Sequence, residues 1–247
     1  MISVEHCTYR HRHQQREEKS ALDDVSFTVE RGSLLCLAGA NGGGKSTLLG
    51  ILAGLLTPAS GRVVVDGHAS PGAEDDIRTV VALVLQEADL QVLGATVEED
   101  LLLGSPPGDE EGATRARETA ARLGISHLME RPVSALSHGE KRKLCIAAQL
   151  ACGPKVLLLD EPFSGLDYHG ILEMRAILAA NREAGLTQIA STHDLEPLAD
   201  LADSLAVLRH GRLALHGPVE EQLDRLAELG VRPPCSWTSG RRLGPWR

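Results

Sequence analysis

The segment GANGGGKST at residues 39–47 limits the possible folds more than any other part of this sequence. It fits the pattern Gly-x-x-x-x-Gly-Lys followed by Ser or Thr. The apolar run LLCLA precedes it and the run LLGILAGLL follows it, so a buried strand is expected to lead through this loop into a helix. Glycines at such a junction let backbone N–H groups turn toward phosphate. The segment therefore predicts a phosphate-binding loop in a parallel α/β domain.

The residues of this loop have separate expected roles. The Lys45 ammonium adds a positive charge beside the β- and γ-phosphates, and the Ser46 hydroxyl can bind Mg²⁺. A flexible glycine-rich turn is the alternative, and the strand before the loop and the helix after it argue against that. The loop residues predicted to bind nucleotide are Gly39, Asn41, Gly42, Gly43, Gly44, Lys45, Ser46 and Thr47.

Two carboxylates follow a second apolar run. The segment VLLLDE ends with Asp160 and Glu161, and ligands of open parallel sheets bind at the carboxyl ends of strands. Asp160 is expected to hold Mg²⁺, and Glu161 to polarise a water molecule aimed at the γ-phosphate. A solvated turn or a helix cap would also explain two acids after a strand. The phosphate loop, however, requires a metal-holding carboxylate as its partner.

Composition and charge exclude several classes of protein. The formal net charge of −9 gives no overall positive field that would attract nucleic acid or anionic lipid. Aromatic residues make up 2% of the chain, too few for a platform that stacks bases. Apolar runs such as VVALVL are far shorter than the ~18 residues that cross a bilayer. The charged N-terminus is unlike a signal peptide, and five cysteines without a CxxC pair predict reduced thiols. We therefore expect a cytosolic chain.

The pattern of apolar residues divides the chain into parts. The runs TVEEDLLLG, ATRARETAARLG and EKRKLCIAAQLAC have helical period, which predicts a helical insertion over residues 87–152. Strand patterns precede it and resume in KVLLLDEP and TQIASTHD, with an amphipathic helix around ILEMRAILAANREAG between them. The parallel α/β core is therefore predicted over residues 1–86 and 153–230. Residues 231–247, rich in Pro, Gly and Arg, are predicted to be a tail with little structure of its own.

Six motifs occur in the order typical of ATP-binding cassette (ABC) ATPases, and nearly the whole chain resembles that family. They are GANGGGKST, the strand-end Gln86, LSHGE at residues 136–140, VLLLDE, SGLD and STHD. The resemblance implies an α/β fold, namely a P-loop NTPase (RecA-like) core with an inserted α-helical subdomain and an N-terminal antiparallel β region. It also implies a single ABC ATPase domain that binds ATP and Mg²⁺ and hydrolyses ATP.

The resemblance assigns a role to the LSHGE segment. In this family two cassettes pack head to tail, and the signature segment of one covers the ATP held by the other. Ser137 would donate to a γ-phosphate oxygen, while the helix that begins near Gly139 directs N–H groups toward the anion. The three cations of the KRK run at residues 141–143 would be unfavourable at a helix start until a polyphosphate approaches.

The segment departs from the commonest family form, LSGGQ, at two positions. Glu140 is a frequent variant, whereas His138 places a ring where the family usually has glycine. An outward ring would add a protonatable donor near the nucleotide, and an inward ring would weaken the ATP sandwich. A tolerated surface histidine is the alternative.

Other roles follow from the resemblance by position. Tyr9 resembles the aromatic residue that stacks on adenine, although a strand-packing tyrosine is the alternative. Gln86 would contact Mg²⁺ and water, and Asp167 would orient the facing subunit. His193 would reach the γ-phosphate. The implied catalytic residues are Glu161, His193 and Lys45, and the implied Mg²⁺ ligands are Ser46, Gln86 and Asp160.

The segment LQEADLQVLGATVEEDLLLG resembles the energy-coupling factor branch of the family. Asp89, Gln91 and the TVEED at residues 96–100 match that branch, as does LGVRPP at residues 229–234. The resemblance implies import of a metal ion or a vitamin, with a second ATPase subunit, identical or paralogous, and integral membrane subunits. The chain would lie at the cytoplasmic face of the membrane through these partners, without direct contact to nucleic acid.

Other functional classes remain as alternatives. One is a non-transport ABC ATPase that acts on nucleic acid or ribosomes. An unrelated P-loop kinase or GTPase would lack LSHGE and the histidine of STHD. A non-hydrolysing regulatory subunit would be expected to lack Glu161, Lys45 or His193, and all three are present.

Overall fold

Alternating and continuous apolar patterns produce two kinds of strand in this chain. The computed structural model describes residues 1–11, 20–106, 108–240, 242–244 and 246. Within those ranges, ten strands form two sheets. The strands are β1 (Ile2–Tyr9), β2 (Leu22–Val29), β3 (Leu34–Ala38), β4 (Ser60–Val65), β5 (His68–Ser70), β6 (Val81–Val84), β7 (Val156–Leu159), β8 (Thr187–Thr192), β9 (Ser204–Arg209) and β10 (Arg212–Pro218).

Helices cover the strands and fill the long connections between them. The α-helices are α1 (Lys45–Leu52), α2 (Glu74–Val80), α3 (Val97–Leu102), α4 (Glu110–Arg122), α5 (His138–Ala151), α6 (Tyr168–Glu183), α7 (Val219–Gln222) and α8 (Cys235–Gly240). The three helical runs noted in the sequence form α3, α4 and α5, which pack on one another between β6 and β7. Within the described part of the chain, no helix is long and apolar enough to span a membrane.

The smaller sheet is antiparallel, in the order β2-β1-β4-β5. In β2, Val25, Phe27 and Val29 are buried while the residues between them are exposed, as expected for a strand with one face on the core. Val63 and Val65 of β4 turn toward the same core. This sheet confirms the predicted antiparallel β region.

The larger sheet has the order β10-β9-β3-β8-β7-β6. All of its neighbouring strands pair in parallel except β10, which is antiparallel to β9. Strand β3 is buried on both faces: Leu34 and Cys36 pack into one core cluster, and Leu35 and Leu37 into the other. Its continuous apolar sequence follows from this position, because neither face contacts water. The predicted α/β fold is confirmed.

The parallel order determines where the functional loops lie. The residues after β3, β6, β7 and β8 leave the sheet at one edge, since parallel strands have their carboxyl ends together. Those residues are the GANGGGKST loop, Gln86, the Asp160–Glu161 pair and His193.

The C-terminal residues are more structured than their composition suggests. The prediction of a tail with little structure was therefore wrong for those residues of the tail that the structure describes. Residues 235–240 form α8, and the Trp237 indole donates to Asp224 at 2.9 Å. The Arg175 guanidinium carbon lies over the Trp246 ring, 5.6 Å from its centroid. The Trp246 backbone N–H donates to Asp200. The prediction also covered residues 241, 245 and 247, which lie outside the described residues.

All five cysteines are free, in agreement with the predicted reduced thiols. Burial raises the pKa of the Cys7 thiol to about 11 and that of the Cys145 thiol to about 12. Cys152 and Cys235 are exposed.

We predict that Leu35→Ala destabilises the protein by about 2–5 kcal/mol, because it leaves a cavity in the strand that is packed on both faces. The measurement is urea unfolding followed by far-UV circular dichroism. Leu55→Ala is the matched control: Leu55 is 58% exposed, and its truncation should change the free energy of unfolding by no more than about 0.5 kcal/mol. Equal losses for the two variants would contradict the assignment of β3 to the core.

Candidate functional site

The loop after β3 has a backbone that requires glycine. Gly39, Gly42 and Gly44 have φ values of 150°, 75° and 105°. A Cβ atom on Gly39 would lie 2.3 Å from the Leu208 carbonyl oxygen, so no larger residue fits there. Gly44 is the N-cap of α1 and supplies no side-chain cap. The first N–H groups of α1 are therefore available to an anion in the loop.

A cavity of about 490 Å³ opens at this loop. Its lining includes residues 41–47, Gln86 and Glu161, which brings together most of the predicted nucleotide contacts. Sequence reasoning assigned no nucleotide contact to five further lining residues: His11, Ser20, Ala21, His210 and Gly211.

Lys45 is 6% exposed and bound by groups of its own chain. Its Nζ donates to the Gly39 carbonyl oxygen at 2.8 Å and lies 3.2 Å from Glu161 Oε1. A buried ammonium needs such partners, because burial without compensation is costly. The ammonium is thus held at the bottom of the phosphate loop, against the second carboxylate of the VLLLDE strand.

The two carboxylates after β7 have different partners. The Asp160 side chain accepts a hydrogen bond from the Ser191 hydroxyl, and the same hydroxyl accepts from the Glu161 N–H at 3.0 Å. Glu161 has a φ of 48°, an unfavourable conformation for a non-glycine residue that Ser191 helps to hold. Sequence reasoning gave Ser191 no role of its own. Its signals were its place as the first residue of the STHD motif and a hydroxyl inside the buried strand β8.

Glu161 lies at the centre of a charged cluster. Its Oε2 is 2.9 Å from His193 Nδ1, and its Oε1 faces Lys45. Among the described residues, no group donates a hydrogen bond to Oε1, because the 3.2 Å contact with Lys45 is an ion pair without hydrogen-bond alignment. Burial, together with the charge of Glu161, raises the pKa of the Cys36 thiol in β3. The cluster thus combines a carboxylate, an ammonium and an imidazole beside the phosphate loop.

Tyr9, expected to stack on adenine, lies outside the cavity lining. Tyr9 ends β1, packs against the core shared by the two sheets and does not appear in the cavity lining. His11, which stands edge-on to the Tyr9 ring with centroids 5.1 Å apart, lines the cavity instead. Its Nε2 is 3.5 Å from the Thr47 hydroxyl. Adenine stacking by Tyr9 stays a prediction, and the rings that line the cavity are those of His11 and His210.

Ser137 and Gly139 lie at the start of α5, outside this cavity lining. Ser137 and Glu140 form a capping box: the Ser137 Oγ accepts from the Glu140 N–H at 3.3 Å, and the Glu140 carboxylate accepts from the Ser137 N–H at 2.7 Å. Asp167 caps α6 by accepting from the Gly170 N–H at 2.8 Å.

The KRK cations after this cap have partners within the chain, which compensate the charge expected to be unfavourable at the helix start, and the effect of an approaching polyphosphate stays a prediction. Lys141 contacts Asp89 at 2.5 Å, and Lys143 contacts Glu173 at 2.7 Å. The third cation, Arg142, is 1% exposed; its Nη1 donates to the Leu85 carbonyl oxygen at 3.0 Å. Burial lowers the pKa of Arg142.

The chain is similar to known proteins over most of its length. A family model described as "ABC transporter" matches residues 22–164. The chain is 45% identical over 223 residues to the cobalt import ATP-binding protein CbiO of Rhodobacter capsulatus, covering 87% of this chain and 80% of that protein. It is 40% identical to the energy-coupling factor transporter ATP-binding protein EcfA of Methanoculleus marisnigri, covering 86% and 79% of the two chains.

Solved structures share the fold. CbiO1 of Clostridium perfringens, described as part of the ABC transporter complex cbiONQ, matches with a TM-score of 0.80 and 32% identity, covering 94% of both chains. The ATP-binding cassette MJ0796, solved as a dimer bound to ADP and Pi, matches with a TM-score of 0.79 and 25% identity, covering 89% of this chain and 99% of that chain.

We predict that Ser191→Ala lowers the free energy of unfolding by about 1–3 kcal/mol and also lowers the rate of ATP hydrolysis, because one hydroxyl orients both acids. Urea unfolding and steady-state phosphate release measure the two effects. Ser70→Ala is the control, since Ser70 is equally buried but bonds Glu74 at the end of β5. It should lose stability and keep its turnover. Full turnover in Ser191→Ala would contradict the role of this hydroxyl.

Proposed function

Because the chain belongs to the family of ABC transporter ATPases, we propose that it is the ATP-hydrolysing subunit of an energy-coupling factor type importer. The observation that carries the hydrolytic role is the contact of Glu161 with both Lys45 and His193 beside the phosphate-loop cavity. The transport type rests on the relatives, whose names state cobalt import or an energy-coupling factor transporter.

The geometry supports a defined order of events when ATP binds. The triphosphate would be held by the N–H groups of Lys45, Ser46 and Thr47 in the first turn of α1. Lys45 would exchange Glu161 for a γ-phosphate oxygen, because the phosphate carries more negative charge and enters the same buried space. Glu161 Oε1 would then be available as the base that accepts a proton from water. His193, already bonded to Oε2, would hold the carboxylate in place.

The residues beside the loop fit a Mg²⁺ ion. Ser46 supplies a hydroxyl oxygen, Gln86 an amide oxygen and Asp160 a carboxylate oxygen, and hard oxygen ligands are those that Mg²⁺ prefers. The hydrogen bond from Ser191 fixes one oxygen of Asp160, leaving the other for a ligand. When bound, the ion would neutralise charge on the β- and γ-phosphate oxygens.

Such a subunit works with a second ATPase subunit, identical or paralogous, and with integral membrane subunits. We propose that Ser137 and Gly139 cover the ATP held by the second subunit. In the capping box the Ser137 Oγ only accepts, so its own hydrogen can be donated to a phosphate oxygen. Asp167, which caps α6 next to this segment, would face the partner cassette.

We further propose that residues 87–152 form the helical subdomain and residues 1–86 and 153–230 the core. The chain would lie at the cytoplasmic face of the membrane, held there by its membrane partners. The imported solute would be a metal ion such as cobalt or nickel, or a vitamin, and the membrane subunits would select it.

We predict that Glu161→Gln forms a stable dimer in the presence of MgATP, because binding is kept while loss of the general base slows hydrolysis by about 10²-fold or more. Size-exclusion chromatography with light scattering measures the dimer. Lys45→Ala is the control: without the ammonium it should lose nucleotide and stay monomeric. A monomeric Glu161→Gln protein in saturating MgATP would contradict the shared site.

A second experiment tests the transport role. We expect affinity purification of the chain from native membranes to retain integral membrane subunits. The purified complex in liposomes should accumulate radioactive cobalt, or a labelled vitamin, only with ATP. Asp160→Asn should abolish the uptake by removing a Mg²⁺ ligand. Recovery of ribosomes or nucleic acid after a high-salt wash, with no membrane protein, would favour a non-transport ATPase.

A further inference from the structure

The His138 ring reaches across to the SGLD turn of its own chain. Its Nε2 lies 3.3 Å from the Ser164 carbonyl oxygen. A carbonyl oxygen only accepts, so Nε2 must carry the hydrogen in this contact. The ring therefore connects the first residue of α5 with the turn that leads from Glu161 to α6.

The same carbonyl oxygen is approached from a second position of α5. Arg142, one helical turn after His138, places Nη2 3.5 Å from the Ser164 oxygen, while its Nη1 donates to Leu85. The Ser164 N–H in turn donates to the Glu161 carbonyl oxygen at 3.1 Å. The turn that His138 contacts is thus directly bonded to the backbone of the proposed catalytic base.

Gly165 provides the space for this ring. Its φ of 73° lies in the left-handed region, where a side chain is strained. A Cβ atom there would lie 3.1 Å from His138 Nε2 and 3.3 Å from Cδ2. The imidazole therefore packs directly on the face that the glycine leaves open.

We propose that His138 is a positioning residue for ATP hydrolysis, which acts through the Ser164 carbonyl on the turn between Glu161 and Asp167. This role rests on the proposed ATPase function. Where the family usually has a glycine, this chain has a ring that fastens the signature helix to that turn. The two segments then move as one unit when a second subunit closes on the nucleotide.

The contacts with the SGLD turn place the ring. His138 is an exposed residue, and its ring is held by the contact with the Ser164 carbonyl oxygen and by packing on Gly165. Nearby, Asp89 pairs with Lys141, whose hydrogen bond is the main cause that lowers the pKa of that carboxylate.

The test compares variants of the full chain together with the membrane subunits that copurify with it. We expect His138→Ala to lower kcat roughly two- to tenfold, the effect of one lost neutral hydrogen bond, with KM for ATP unchanged. His138→Gln should recover much of the rate, because its amide can donate to the same oxygen. His127→Ala, an exposed histidine of the same helical region, is the control and should match the wild type.

Several results would overturn the role. They are an unchanged kcat in His138→Ala, a glutamine variant as slow as the alanine variant, or a KM that rises in step with the loss of rate. Absence of hydrolysis by the wild-type protein would instead overturn the proposed function, and this role with it. Normal wild-type hydrolysis with an unaffected His138→Ala would overturn the role alone.

A double-mutant cycle gives an independent readout. Gly165→Ala should reduce kcat by a larger factor in the wild-type background than in His138→Ala, because removing the ring relieves the collision with the new Cβ atom. Circular dichroism verifies that each variant is folded. Equal losses in the two backgrounds would show that the pair is not coupled and would contradict the proposal.

Discussion

The pairing of β3, β8, β7 and β6 as parallel neighbours is the constraint on which the rest of the structure depends. Parallel strands have their carboxyl ends at one edge, so loops that are more than a hundred residues apart in sequence meet there. Neither the phosphate loop nor the acidic pair forms a site alone. The burial of β3 on both faces then keeps this edge rigid, because any shift of the strand would disturb two cores at once.

Within the site, each buried charged group has a neighbouring side chain that compensates it. The Lys45 ammonium and the Glu161 carboxylate are both almost fully buried and face each other, while His193 holds the second carboxylate oxygen. Asp160, next in sequence to Glu161, is held by Ser191 instead. Both residues carry a carboxylate, but their partners differ. This difference in surroundings allows adjacent carboxylates to take separate roles. A triphosphate entering the cavity would rearrange only the first of these pairs.

Much of this could be predicted from the sequence, and the remainder could not for physical reasons. The phosphate loop, Asp160, Glu161 and His193 belong to local motifs at strand ends, and the helices α3 to α5 follow from periodicity. The role of Ser191, the burial of Arg142 and the position of His11 depend on contacts between distant segments, which no local pattern encodes. The tail shows the same limit. Trp237 in its helix and Trp246 after it contact Asp224 and Arg175, partners that are distant in sequence.

The distribution of the thiols has a practical consequence for measuring motion in this protein. Cys7, Cys36 and Cys145 are buried with raised pKa values, so none of them presents a reactive thiolate near neutral pH. Cys152 at the end of α5 and Cys235 at the start of α8 are exposed. Maleimide dyes added to the unaltered chain should therefore attach at two positions. One reports on the helical region and the other on the C-terminal part that packs on the core. Energy transfer between them would report how these parts rotate during turnover, without any engineered cysteine.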